Sequence, residues 1–184
     1  MIAVREEQPG DVAAVRGVVH RAFGQPDEAN LVELIHRAAA ATVSLVAVQR
    51  APHDETGVGP IVGHILFSPV VIVGSPCITA VGLAPMAVEP SYLRLGIGTT
   101  LVTAGLDSCR ALDIAAVVVL GHPDYYPRFG FQPAHHFGLS CEYDVPPAVF
   151  MALELHTGAL ADARGVARYH EAFGSPLLSA RDFC

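Results

Sequence analysis

Between Ile78 and Leu120 the hydrophobic period of this chain changes from that of a strand to that of a helix and back again. Ile78 to Val88 has the pattern of a strand. After Glu89-Pro90, Gly96-Ile97-Gly98 opens a segment in which Ile97, Leu101, Gly105, Cys109 and Leu112 recur at helical steps, to about Asp113. Ala115 to Leu120 is then an unbroken apolar run bounded by Gly121 and Pro123, the mark of a strand covered on both faces. Strand, helix and strand in this order predict one right-handed parallel crossover.

The chain before the crossover reads differently. Ile2 to Arg5 is a short alternating strand, and Asp11 is placed to cap a helix with Val12, Val15, Val18, Val19, Ala22 and Phe23 on one face and Gly24 at its end. Asn30-Leu31-Val32-Glu33 has the form of a capping box, predicting a second helix that fades into the alanines near 40. Thr42 to Gln49, Ile61 to Val73 and Ile78 to Val88, joined by turn-rich segments at Arg50 to Pro60 and Gly74-Ser75-Pro76, predict a three-stranded antiparallel meander. Val149 to Leu155 reads as a final strand. The whole is an α/β chain of mixed type: one domain over 1–160, then a mostly irregular tail over 161–184 packed on it, with a short helix around Ala161 to Ala167.

Composition removes several function classes. At 52% hydrophobic and 16% charged, the 184 residues are too apolar for a disordered chain. No run approaches the roughly 18 to 20 uncharged apolar residues of a membrane span. The start, Met1-Ile2-Ala3-Val4-Arg5-Glu6-Glu7, lacks the basic head of a signal peptide, so a cytoplasmic protein is expected. All 11 basic residues are dispersed arginines on a chain of net charge −7, which argues against a nucleic-acid-binding face. Cys77, Cys109, Cys141 and Cys184 form no Cys-x-x-Cys pair, and neither His135-His136 nor His53 with Asp54 has a ligand spacing, so no metal is expected.

Glycines directly before a helix leave backbone N–H groups free to point at an anion, with the positive end of the helix dipole behind them. A pyrophosphate fits such a loop. A dinucleotide-binding fingerprint would need a small residue where Leu101 stands, and a P-loop would need a lysine, which the chain lacks entirely.

The stretch Met86-Ala87-Val88-Glu89-Pro90-Ser91-Tyr92-Leu93-Arg94-Leu95-Gly96-Ile97-Gly98-Thr99 resembles the pyrophosphate-binding segment of GNAT acetyltransferases, Gln/Arg-x-x-Gly-x-Gly/Ala after a strand ending in Val-x-Pro. The Gln/Arg position falls on Leu93, with Arg94 one place along as its substitute. Gly121-His122-Pro123-Asp124-Tyr125-Tyr126-Pro127-Arg128-Phe129-Gly130-Phe131 is similar to the Tyr-x-x-x-Gly-Phe segment after the fifth strand of these enzymes, and its wording resembles the YhbS-like branch of predicted N-acetyltransferases. The resemblance runs from Ile2 to about Phe173.

What the resemblance implies is a GNAT fold with a partly splayed central sheet and acetyl-CoA in the splay. The amides of Gly96, Ile97, Gly98 and Thr99, with Arg94 and Leu95 beside them in the cofactor-binding segment, hold the pyrophosphate, and Met86, Ala87 and Val88 hold the pantetheine arm and the thioester oxygen. The reaction implied is direct transfer of the acetyl group to the amine of a small molecule or peptide, without an acyl-enzyme. Tyr126 stands where the family places the acid that protonates the leaving sulfur, with Tyr125 as its competitor. For the base, Glu89 and His122 lie nearest the cleft in the family layout, with Asp124 and His64 behind them; His64, between Gly63 and Ile65, reads rather as a core or sheet-face histidine, and Ser68 as structural. A homodimer is compatible with this layout. The alternative function is an acyl-CoA-binding sensor of the same fold, which Leu93 suggests and Tyr126 argues against.

Overall fold

The computed structural model describes residues 1–50, 59–75 and 77–174. In chain order its strands and α-helices are β1 (Ile2–Glu6), α1 (Val12–Phe23), α2 (Asp27–Arg37), β2 (Val43–Gln49), β3 (Ile61–Val73), β4 (Ala80–Val88), α3 (Ile97–Ala111), β5 (Ala116–Leu120), β6 (Gln132–Pro133), β7 (Leu139–Cys141), β8 (Phe150–Glu154) and β9 (Gly165–Arg168). The chain groups into two compact units, Met1–Phe67 with Pro85–Gly105, and Ser68–Ala84 with Leu106–Cys184, so that β3, β4 and α3 contribute a part to each. Most of the predicted loop after Arg50, together with Pro76, His53, Asp54 and Cys184, lies outside the described residues.

In the first unit β1, β2 and the first part of β3 pair antiparallel, with Val4 opposite Ala47 and Leu45 opposite Ile65. Val43 and Leu45 to Val48 of β2 and Ile61 to Phe67 of β3 are buried in nearly unbroken runs there, and α1 packs on α2. Helix α1 buries Val15, Val18 and Val19 and ends at Gly24, whose φ of 73° suits glycine and whose N–H bonds the carbonyl of His20. Val12, expected on the apolar face, is 47% exposed. Asp11 does not cap α1 through its side chain; its carboxylate accepts from Arg5 at 2.6 and 3.0 Å and from the Gln8 N–H at 2.8 Å.

Helix α2 begins at Asp27, three residues before the predicted capping box. Asp27 and Glu28 supply the acidic first turn that favours a helix N-terminus. Asn30 and Glu33 sit inside the helix, where both accept from Arg16 of α1, at 3.0 and 2.6 Å. Side chains that resemble a cap in the sequence are engaged between two helices instead.

In the second unit the predicted crossover is realised: β4 pairs parallel with β5, from Ala80 opposite Ala116 to Leu83 opposite Val119. All five residues of β5 are buried, as the unbroken apolar run required. Strand β8 pairs antiparallel with β5, and β6 pairs with β8. The final stretch departs from the expectation. Gly165–Arg168 is strand β9 rather than a helix, antiparallel to Val71–Val73 of β3 and parallel to β7. Its partners come from segments remote in sequence, so no local period marks it.

Candidate functional site

The loop between β4 and α3 is built from backbone groups. Pro90–Tyr92 forms a 3-10 turn, after which Arg94 and Gly96 take left-handed conformations, with φ of 64° and 81°. Successive turns of this kind aim N–H groups into one concavity. The N–H of Thr100 bonds the carbonyl of Gly96 at 3.0 Å, which makes Gly96 the residue that opens the helix. The N–H groups of Ile97, Gly98 and Thr99 therefore have no acceptor within α3, and none bonds another backbone carbonyl among the described residues. A Cβ on Gly96 would meet nothing within 4 Å, so glycine is required there by φ and not by crowding. Ile97 is buried and anchors the turn, while Leu93 and Leu95 are 56% and 68% exposed and Arg94 is exposed beside them.

The approach along β4 explains why its end differs from its start. At Thr79 the carbonyl accepts from Ala115, on the β5 side, while ten residues later the N–H of Glu89 donates to Val62 of β3. The ladder with β5 stops at Leu83 although β4 continues to Val88. Ala87 is buried, and Met86 and Val88 are half-buried.

Glu89, one candidate base, is not free. Arg21 of α1 grips its carboxylate in a fork, with Nε at 3.0 and 2.9 Å and a terminal nitrogen at 2.8 Å. This partner is 68 residues away in sequence, and nothing in the α1 pattern marks it. Tyr92 is held in turn, its hydroxyl donating to Gln49 Oε1 at 2.5 Å.

In the second unit Tyr126 is a buried residue on the 3-10 turn Tyr126–Phe129. A Cβ on Gly121 would stand 2.3 Å from Tyr126 Cε2, so the missing side chain at the end of β5 makes the slot for the phenol ring. Phe131 meets that ring edge-on, with centroids 5.6 Å apart. The Tyr126 hydroxyl has no hydrogen bond among the described residues. Burial, and then the nearby Tyr125, push its pKa upward. Tyr125 is occupied differently: its ring lies against Phe129 at 5.4 Å and under the Arg128 guanidinium at 4.5 Å. His122 and Asp124 are exposed. His64 is wholly buried in the first unit among Ser44 and Glu7, and Ser68 is wholly buried as well.

Among the described residues the cysteines are free thiols. Burial pushes the Cys109 thiol up to about 12 and raises that of Cys141, the reverse of what a thiolate nucleophile needs. His135 and His136 stand exposed, with their rings edge to face.

Residues 15–131 match the model of the acetyltransferase (GNAT) family. The chain is 36% identical over 170 residues to the uncharacterized N-acetyltransferase YhbS of Escherichia coli K12, covering 92% of this chain and 97% of that one. The crystal structure of E. coli YhbS in complex with CoA superposes with a TM-score of 0.86 at 35% identity, over 95% of this chain and 93% of that chain. A GNAT family acetyltransferase from Brucella melitensis, in complex with acetyl-CoA, gives 0.73 at 32% identity, over 94% and 98%.

Proposed function

The chain belongs to the GNAT acetyltransferase family, and from that premise we propose that it transfers the acetyl group of acetyl-CoA to a primary amine of a small molecule or peptide. The observation that carries the proposal is the trio of N–H groups at Ile97, Gly98 and Thr99 that have no acceptor among the described residues, behind a left-handed glycine with open space in front of it. Such a cradle suits a pyrophosphate. Arg94 supplies the cationic side chain that Leu93 cannot, and the family relatives solved with CoA and acetyl-CoA support the same ligand.

In the proposed reaction the pantetheine arm pairs with the backbone of Met86, Ala87 and Val88, and an N–H there receives the thioester oxygen. The amine nitrogen attacks the carbonyl carbon, the C–S bond breaks, and the Tyr126 hydroxyl gives its proton to the departing sulfur. The proton lost by the amine passes to a base and on to water. Because Arg21 holds Glu89, His122 is the better supported of the two candidate bases. The raised pKa of Tyr126 keeps its proton in place at neutral pH. No step calls for an acyl-cysteine or a metal.

An acidic chain of net charge −7 suits a cationic acceptor rather than a nucleic acid. No helix among the described residues is long and apolar enough to cross a membrane. A cytoplasmic location and a homodimer complete the proposal. The second reading, an acyl-CoA-binding sensor, draws on Leu93, a hydrophobic side chain where the family pattern has Gln or Arg.

CoA should raise the melting temperature and NADH should not, because only the first offers its pyrophosphate with a pantetheine strand to pair along β4. Equal shifts from both would remove the cofactor assignment. A panel of amines scored by thiol release then separates enzyme from sensor: CoA binding with no release from any amine would leave the sensor.

A further inference from the structure

The first unit contains a cluster that the proposed acetyl transfer does not use. Glu7, just beyond β1, is 5% exposed in its side chain, and one of its oxygens, Oε2, gathers three polar groups. His64 Nε2 of β3 lies 3.1 Å away and His36 Nε2 of α2 lies 3.2 Å away, while the Ser44 hydroxyl of β2 donates to the same oxygen. The Ser44 hydroxyl is also 3.0 Å from His64 Nε2. His36 Nε2 is buried and stands at ion-pair distance without hydrogen-bond geometry. Ligand atoms of Glu7, His36 and His64 all lie within 4.8 Å of one another.

We propose that Glu7, His36 and His64 form a binding site for a first-row divalent transition ion of the Zn²⁺ class, with its remaining coordination position open to the adjoining cavity. The spacing supports it: bonds of about 2.0–2.1 Å in a tetrahedron separate neighbouring ligand atoms by roughly 3.3 Å, and the two imidazole nitrogens already stand 3.1 and 3.2 Å from the carboxylate oxygen. Two imidazoles with one carboxylate suit zinc, cobalt or iron(II) rather than magnesium or calcium, which prefer all-oxygen shells. The ligands come from a strand, a helix and the residue after another strand, so the backbone holds them in place without the metal. Beside them opens a cavity of about 410 Å³, lined by Glu7 and His36 together with Arg16, Glu33, Arg37 and apolar residues of α1 and α2. It is roomy enough for water or a small ligand on the ion.

One feature limits affinity. His64 Nδ1 is buried with no hydrogen-bond partner among the described residues, and imidazole ligands lacking such support bind about 10–100-fold more weakly. A micromolar rather than nanomolar dissociation constant is therefore expected.

The test uses the full chain, stripped with a chelator, then titrated with ZnCl₂ by calorimetry and with CoCl₂ by visible absorption. One equivalent of zinc should bind and raise the melting temperature, and cobalt should give d–d bands of a nitrogen and oxygen site without a thiolate charge-transfer band. His36→Ala, at a partly exposed position that leaves strand pairing intact, should weaken zinc about 10–100-fold while leaving the CoA thermal shift unchanged. Glu7→Gln, checked for folding by circular dichroism, should do the same. The proposal is overturned by absence of saturable binding at millimolar zinc, by equal affinity in a folded His36→Ala protein, or by a thiolate band.

Discussion

At Leu93 to Thr99 the side chains are mostly exposed and the N–H groups of Ile97, Gly98 and Thr99 have no backbone acceptor among the described residues, whereas at Gly121 to Phe131 the N–H groups of Gly121, Tyr125, Tyr126 and Gly130 bond backbone carbonyls and the group proposed to act is the hydroxyl of one buried tyrosine. On the proposed function the loop would tolerate Leu93 in place of the family's Gln or Arg, because a backbone N–H is the same whatever residue carries it. The tyrosine segment would have no such latitude: the role proposed for it resides in a single atom, and its ring position depends on a missing side chain at Gly121. A main-chain site is damaged through φ and a side-chain site through deletion or displacement, and the two failures are distinguishable by experiment.

The largest effect expected is that of Tyr126→Phe. The hydroxyl has no hydrogen bond among the described residues, so stability and CoA affinity should barely change. Turnover should fall by about 10² to 10⁴, the worth of a positioned acid. Because the phenol pKa is raised, its deprotonation should limit turnover only above the ordinary tyrosine range, near pH 10, and that limb should be missing in the Phe variant. Retention of more than half the wild-type turnover across several amines would end the assignment and make Tyr125→Phe the next measurement.

Gly96→Val attacks the other region through its backbone. A β-branched residue at φ of 81° is strained by about 1–3 kcal/mol, and relief of that strain would turn the N–H groups away from the ligand. CoA affinity should drop about 10- to 100-fold, read as loss of the thermal shift. An unchanged shift would mean that the loop amides are not the phosphate ligands.

Gly121→Ala tests whether the tyrosine segment is as intolerant of displacement as of deletion. The new methyl would stand 2.3 Å from the phenol ring, and overpacking of this kind costs about 1–3 kcal/mol. A fall in turnover larger than the fall in stability explains, at unchanged CoA affinity, is the expected pattern. Full activity would show that the ring position is not critical.

Cysteine replacement should do less. With the Cys109 thiol raised to about 12, changing Cys109 to Ala and the other three cysteines to Ser should leave turnover within about tenfold, since no covalent step uses them. Loss of activity from one such change in folded protein would revive an acyl-cysteine route.

The smallest effect concerns the Arg5–Asp11 pair of the first unit. Arg5 lowers the Asp11 pKa, so the stabilisation is present above the ordinary aspartate value near 3.9 and is lost as the pH falls through the lowered one. Asp11→Asn should therefore cost about 0.2–1 kcal/mol at pH 7 and progressively less in acid, measured by urea unfolding. A cost independent of pH would mean that Asp11 acts through packing or backbone conformation and not through its charge.

Local signals were sufficient wherever a pattern is contiguous. The apolar run of β5, the period of α3 and the glycines before it depend only on neighbours in the chain, so the parallel crossover and the glycine turn that opens its helix are legible in the residues themselves. The same holds for Gly24 and the end of α1. What only the tertiary structure decided involves partners remote in sequence: Arg16 drawing Asn30 and Glu33 away from a capping role, Arg21 engaging Glu89, β9 pairing with β3 and β7, and Glu7, His36 and His64 meeting around one oxygen. A side chain's hydrogen-bond capacity is written in its type, but which partner satisfies it depends on where other elements bring theirs, and no period in the sequence encodes that meeting.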